Sequence, residues 1–221
     1  MTYCTSIVDV AHMDHADLRE AATGGIVAVI LKVCTGVDAL DPEFKARIFE
    51  AVGAGLLVSG YAFGTGEHPG DAQWRDFRDR WDAGCASVSL APKSVPVWLD
   101  LESNGDNTMT PDQARAWLAA GQADGYRVGL YGGLSKLTDH FRDPNDAVGR
   151  VPLWLAAYGN EPKNLPAPWA SKGWRLWQYT DGKDGPSDRN SFPRTAPGCG
   201  PCDRSGFAGT DDDLRAWWRQ G

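Results

Sequence analysis

The feature that most constrains this chain is an alternation along it. Short apolar, β-branched runs recur between amphipathic stretches of helical spacing. The runs predict strands over 6–11, 26–34, 57–63, 95–102, 127–132, 151–158, 174–180 and 202–207. The first five alternate with segments that predict helices over 16–22, 42–53, 69–83, 111–124 and 135–141. Nearly continuous apolar strands alternating with helices indicate a parallel sheet covered by helices.

Eight such strands in 221 residues sit near the lower size limit of a (β/α)8 barrel. The second half is uneven, because 144–150, 160–173 and 181–201 are rich in Pro, Gly, Asn and Asp and leave little room for full helices. An open doubly wound sheet is the structural alternative. Gly64-Thr65-Gly66 lacks the full dinucleotide fingerprint and does not support it. No internal repeat or linker divides the chain, so the expectation is a single domain over 1–221 with no separate binding module.

Two helix starts are written locally. Thr110-Pro111-Asp112-Gln113 combines an N-cap threonine, a proline at the first helical position and a glutamine at the third. Thr210 is followed by Asp211, Asp212 and Asp213, three acids in a first turn where the helix dipole favours them. Leu214, Trp217 and Trp218 give that last helix an apolar stripe. With Trp117, these two tryptophans are expected to pack on the outside of the barrel.

Net charge is −7, which gives no support for nucleic-acid binding. The apolar run from Ile26 to Leu31 stops at Lys32 and is too short to span a membrane. The opening MTYCTSIVDV shows no signal-peptide pattern. The expectation is a protein held in the cytoplasm until released, or exported without a leader.

Five cysteines cannot all pair. Cys199-Gly200-Pro201-Cys202 has thioredoxin-like spacing, but a redox pair should open a helix early in a βαβ unit. Here it follows a Gly/Pro-rich loop, so a loop disulfide or two plain thiols is the better reading. A zinc site there would need a second ligand pair, which the sequence does not offer; His12, Asp14 and His15 lie close in sequence but read as turn residues, and no metal site is expected.

The sharpest chemical signal is Val95-Pro96-Val97-Trp98-Leu99-Asp100-Leu101-Glu102. An apolar strand ends in two acids two residues apart. Side chains alternate along a strand, so both carboxylates face one side, their Cα atoms about 6.5–7 Å apart. The C-terminal end of a barrel strand faces the catalytic mouth. Two carboxylates there repel when both are ionised, which raises the pKa of one and lets it hold a proton. A general acid beside a stabilising carboxylate has that requirement. Asp9 ends the first apolar strand and Asp203 stands where the eighth begins, so four carboxylates could surround one mouth.

These pieces, in order, resemble a glycoside hydrolase family 25 lysozyme. Ile7-Val8-Asp9-Val10 is similar to the family's opening strand. Ile30-Leu31-Lys32-Val33-Cys34-Thr35-Gly36, Gly60-Tyr61-Ala62-Phe63 and the D-x-E strand follow in register. Gly129-Leu130-Tyr131, Pro152 to Tyr158, Trp177-Gln178-Tyr179-Thr180 and Asp203 to Thr210 complete the series. The resemblance implies a flattened, irregular (β/α) barrel. It implies hydrolysis of the β-1,4 bond between N-acetylmuramic acid and N-acetylglucosamine in bacterial peptidoglycan, with no cofactor. Carried over, Glu102 is the general acid and stays protonated at rest. Asp100 stays ionised and stabilises positive charge, directly or by orienting the substrate's 2-acetamido group. Asp9 and Asp203 complete the acidic mouth. Tyr61, Tyr131, Trp154 and Gln178 line the sugar subsites. The partner is peptidoglycan and the protein is expected to be a monomer.

Three departures stand out. Thr35 replaces a family acid, Ala11 a usual serine, and Ser205 the asparagine of the closing motif. Asp188-Arg189-Asn190-Ser191-Phe192 fits that motif better than Asp203 does, but Asp203 is followed by Gly209, Thr210 and the capped helix. The alternative function is a catalytically silent glycan-binding protein on the same barrel.

Overall fold

The computed structural model describes residues 2–159, 161–183 and 191–220. The rival motif acid Asp188 lies outside them. Eight strands form the barrel: β1 (Tyr3–Val10), β2 (Ala28–Thr35), β3 (Leu57–Phe63), β4 (Pro96–Asp100), β5 (Arg127–Gly133), β6 (Leu153–Ala156), β7 (Leu176–Thr180) and β8 (Arg204–Ala208). Strands β1 to β7 are parallel, and the pairing of β1 with β2, Asp9 opposite Ile30, helps close the sheet on itself. The closed barrel agrees with the expected fold and removes the open-sheet alternative.

The eighth strand differs from a regular (β/α)8 barrel. It runs antiparallel to both neighbours, with Phe207 opposite Cys4 of β1 and Leu176 of β7. A parallel strand needs a crossover, usually a helix, that returns the chain to the other end of the sheet. The Gly/Pro-rich segment after Thr180 carries only the two-residue strands Thr195–Ala196 and Gly200–Pro201 among its described residues. β8 therefore starts at the mouth and runs down.

Helices α1 (Leu18–Thr23), α2 (Phe44–Gly53), α3 (Gly70–Ser87), α4 (Pro111–Ala123) and α5 (Leu134–His140) cover the first five strands. Short 3-10 turns at Ala147–Arg150 and Ala167–Trp169 serve the uneven side instead. Thr110 caps α4 as its sequence predicts, with a reciprocal bond from Gln113. Thr210 and Asp213 make the same capping box for α6 (Asp211–Trp218).

Eight of the ten tryptophans are fully buried: 74, 81, 98, 117, 154, 169, 177 and 218. Trp74 and Trp117 meet edge to face at 4.8 Å between α3 and α4, which are anchored on the outer wall. Trp218 differs from its expected place outside the barrel. Its Nε1 donates to the Val58 carbonyl at 3.1 Å, while Trp217 packs against Trp98 and Phe207. Helix α6 thus plugs the base of the barrel, because its apolar stripe finds the open lower ends of the strands.

Candidate active site

The strands β1, β3, β4, β5, β6 and β7 deliver their C-terminal ends to one mouth, and antiparallel β8 delivers its N-terminal end. A cavity of about 260 Å³ opens there. Asp9, Asp100, Glu102 and Asp203 all line it, together with Tyr61, Tyr131, Trp154 and Gln178. Asp9 and Asp203 are joined through their backbones, the Asp9 N–H facing the Asp203 carbonyl at 3.4 Å.

Asp100 is the last residue of β4 and only 6% exposed. Glu102 follows on the same face, nearer the opening and half-buried. Burial raises the Glu102 pKa, and Lys136, the Tyr131 hydroxyl and Lys32 act the other way. The deeper Asp100 is raised well above the ordinary carboxylate range, first by burial and then by the Glu102 charge, with Lys32 and Lys136 opposing. Its Oδ1 has no hydrogen-bond partner among the described residues. Burial thus works against the ionised form that the sequence reading expects for Asp100, because the strand end lies below the solvated part of the mouth.

The other two acids are also raised. Burial, then the Asp203 charge, lifts Asp9, while its bond from Gln178 pulls it down. Asp203 is pushed up to about 7 by burial and by the charges of Asp14, Asp181 and Glu102. All four carboxyl groups in one cavity are thus shifted toward holding a proton, which general-acid chemistry needs.

Two of the expected sugar contacts are also tied into the protein. Gln178 Nε2 donates to both Asp9 oxygens at 3.2 and 2.9 Å, and its Oε1 accepts from the Tyr131 and Tyr158 hydroxyls at 2.8 and 3.2 Å. Its polar atoms are thus engaged in holding Asp9. Trp154 is 1% exposed; its Nε1 donates to Ser205 Oγ at 2.9 Å and its ring packs on Tyr131, Trp98 and Tyr61. It forms the floor of the mouth. Ser205, where the closing motif departs from asparagine, is the acceptor that orients this floor.

The chain matches the family model described as glycosyl hydrolases family 25 over residues 8–187. The chain belongs to glycosyl hydrolases family 25. It is a glycosidase. The fold is similar to that of a family GH25 lysozyme from Aspergillus fumigatus, at 22% identity, full coverage of both chains and a TM-score of 0.74. The bacterial lysozyme from Streptomyces coelicolor aligns at 21% identity, over 96% of this chain and 95% of that one, with a TM-score of 0.72. The catalytic domain of endolysin ply40 from bacteriophage P40 of Listeria monocytogenes aligns at 16%, over 100% and 98%, with a TM-score of 0.67. No curated protein matches the chain.

The match to family 25 stops before Asp203, so the place of that acid rests on β8. Sequence reasoning missed Tyr158, Asp181 and Lys183, which also line the mouth. Tyr158 and Asp181 stand just past the ends of β6 and β7, and that position was the available signal. Thr35, at the family's acidic position, ends β2 and does not line the cavity. Among the described residues, no group of three or more His, Cys, Asp or Glu side chains could hold a metal ion. Cys199 and Cys202 are buried free thiols on either side of the strand Gly200–Pro201 in a short hairpin, and neither opens a helix.

Proposed function

We propose that this glycosidase is a peptidoglycan hydrolase, a 1,4-β-N-acetylmuramidase that cleaves the bond between N-acetylmuramic acid and N-acetylglucosamine. The observation that carries the reading is the convergence of Asp9, Asp100, Glu102 and Asp203 at the mouth of a family 25 barrel. Lysozymes and an endolysin are among the proteins of the same fold.

Glu102, raised by burial and nearest the opening, donates the proton to the leaving glycosidic oxygen. Asp100 faces the sugar where oxocarbenium-like charge develops. Its negative charge stabilises the positive charge that forms on the sugar, directly or by orienting the substrate's 2-acetamido group. Asp9 is held by Gln178, and with Asp203 it completes the acidic mouth. The barrel supplies recognition of the wall, and the protein works as a monomer without nucleic acid. Among the described residues, no helix is long and apolar enough to cross a membrane.

Purified bacterial walls, followed by turbidity and by mass spectrometry of the released fragments, test this. Wild-type protein is expected to release fragments with reducing muramic acid ends. Glu102→Gln keeps the shape and removes the transferable proton, so lysis should fall by about 10²–10⁴-fold with binding retained. On an aryl glycoside with a good leaving group, if one is accepted, Glu102→Gln should be relatively spared and Asp100→Asn should not. Full lysis by Glu102→Gln would falsify the acid assignment. Wall binding with no fragments from wild-type protein would leave the silent glycan-binding reading in its place.

A further inference from the structure

A second cavity, of about 410 Å³, lies at the end of the barrel opposite the carboxylates. Arg127, Arg150, Lys172 and Arg175 line it, and among the described residues no aspartate or glutamate does. Arg127 is the first residue of β5; Arg150 and Arg175 stand just before β6 and β7. None of the four forms an ion pair with a carboxylate among the described residues. In a chain of net charge −7, this cluster runs against the overall charge.

Several of these cations are held in place. Arg127 donates to the carbonyls of Trp217 and Trp218 at 2.9 and 2.8 Å, and Lys172 Nζ donates to the Gly149 carbonyl at 2.5 Å. The guanidinium groups of Arg127 and Arg175 sit 5.2 and 5.5 Å from the Trp217 ring centre. Burial, then the Arg175 charge, lowers the Arg127 pKa. Like charges are thus gathered without a counter-charge among the described residues. Trp174 and Trp217, the two tryptophans outside the fully buried set, both line this cavity.

We propose that this basal cavity binds the phosphodiester groups of an anionic wall polymer, a poly(alditol phosphate) chain, as a second attachment point for the enzyme. Arginine forks match the paired oxygens of a phosphate, and the two partly open tryptophan rings suit the carbon backbone between phosphates. The choice of a wall polymer rests on the reading of the protein as a peptidoglycan hydrolase. Strands of this length separate base from mouth by roughly 16–26 Å. The two sites therefore engage different chains of the wall, and linked attachment raises the effective concentration of glycan at the mouth.

The test is titration of purified poly(glycerol phosphate) into the whole protein, by calorimetry, at about 50 and about 200 mM salt. Inorganic phosphate and a single-stranded RNA of matched charge form separate arms. The polymer is expected to bind, on the order of tenfold more weakly at the higher salt for about three phosphate contacts. Arg150→Glu with Arg175→Glu should weaken binding at least about tenfold while the melting temperature holds, because both side chains are exposed. If that pair unfolds the protein, Arg150→Gln with Arg175→Gln carries the same comparison. Absence of polymer binding, equal binding by a folded variant, uptake of phosphate alone, or equal uptake of RNA overturns the proposal. Binding is read without hydrolysis. Polymer uptake by a protein that leaves walls intact would therefore sink the muramidase reading and not this one.

Discussion

Asp100 and Glu102 stand two residues apart in different surroundings, and that difference sets their chemistry. Lys136 is half-buried, donates to Ser103 Oγ at 3.2 Å, and its charge holds the Glu102 pKa down. Replacing it by methionine removes that pull. Lys136→Met is expected to move the alkaline limb of the kcat/KM profile to higher pH, since Glu102 keeps its proton longer. An unmoved or lowered limb would contradict the role of Glu102. Asp203 makes a stability prediction. Its pKa rises on folding from the ordinary 3.8 to about 7, so the folded protein holds this proton more tightly than the unfolded chain. Stability is full below about pH 4 and is lost as pH rises through about 7. Asp203→Asn should therefore stabilise the protein at pH 8 by about 1–2 kcal/mol, after discounting for solvent at the mouth. Thermal melts should show the gain at pH 8 and none at pH 4.

Among the helices, the contact of α3 with α4 turns on a small residue. Gly70 opens α3, and a Cβ there would run into the Gln113 backbone carbonyl of α4. Helix propensity alone favours alanine over glycine by about 1 kcal/mol. Overpacking against rigid backbone costs about 1–3 kcal/mol, and here the obstacle is main chain with no rotamer to turn aside. Gly70→Ala is expected to lower the melting temperature by several degrees, at about 2–4 °C per kcal/mol for a chain this size. A rise would mean that α3 and α4 slide apart freely. The capping boxes at Thr110 and Thr210 were legible because each is written within four residues. The Gly70 contact was not, because its two sides lie 43 positions apart, at 70 and 113.

At the scale of the molecule, β8 and α6 close the barrel. β8 fills the gap between β1 and β7 with its Phe207 buried, and Leu214 and Trp218 of α6 are buried beside it. Three such side chains contribute about 1.5–3 kcal/mol each, together about 5–9 kcal/mol. That is a large share of the roughly 5–15 kcal/mol that keeps a domain folded. A chain ended after Cys202 also opens two strand edges to intermolecular pairing. It is expected to show no cooperative melting transition and to aggregate; a sharp transition near that of the whole chain would refute this account of closure.

Strand positions, helix caps and the Asp100–Glu102 pair were determined by the sequence itself, because each depends on a period of two, a cap or a spacing within one segment. The same local patterns could not decide the direction of β8. In a wholly parallel barrel, Asp203, one residue before that strand, would lie at the base, far from Glu102. The antiparallel run puts it at the mouth, and only pairing with β1 and β7 sets that run. Gln178 bridging Asp9 to Tyr131 and Tyr158, the buried floor made by Trp154, and the raised pKa of Asp100 likewise belong to the closed barrel. Burial and charge proximity are sums over neighbours distant in the chain. They exist only once the strands have come together.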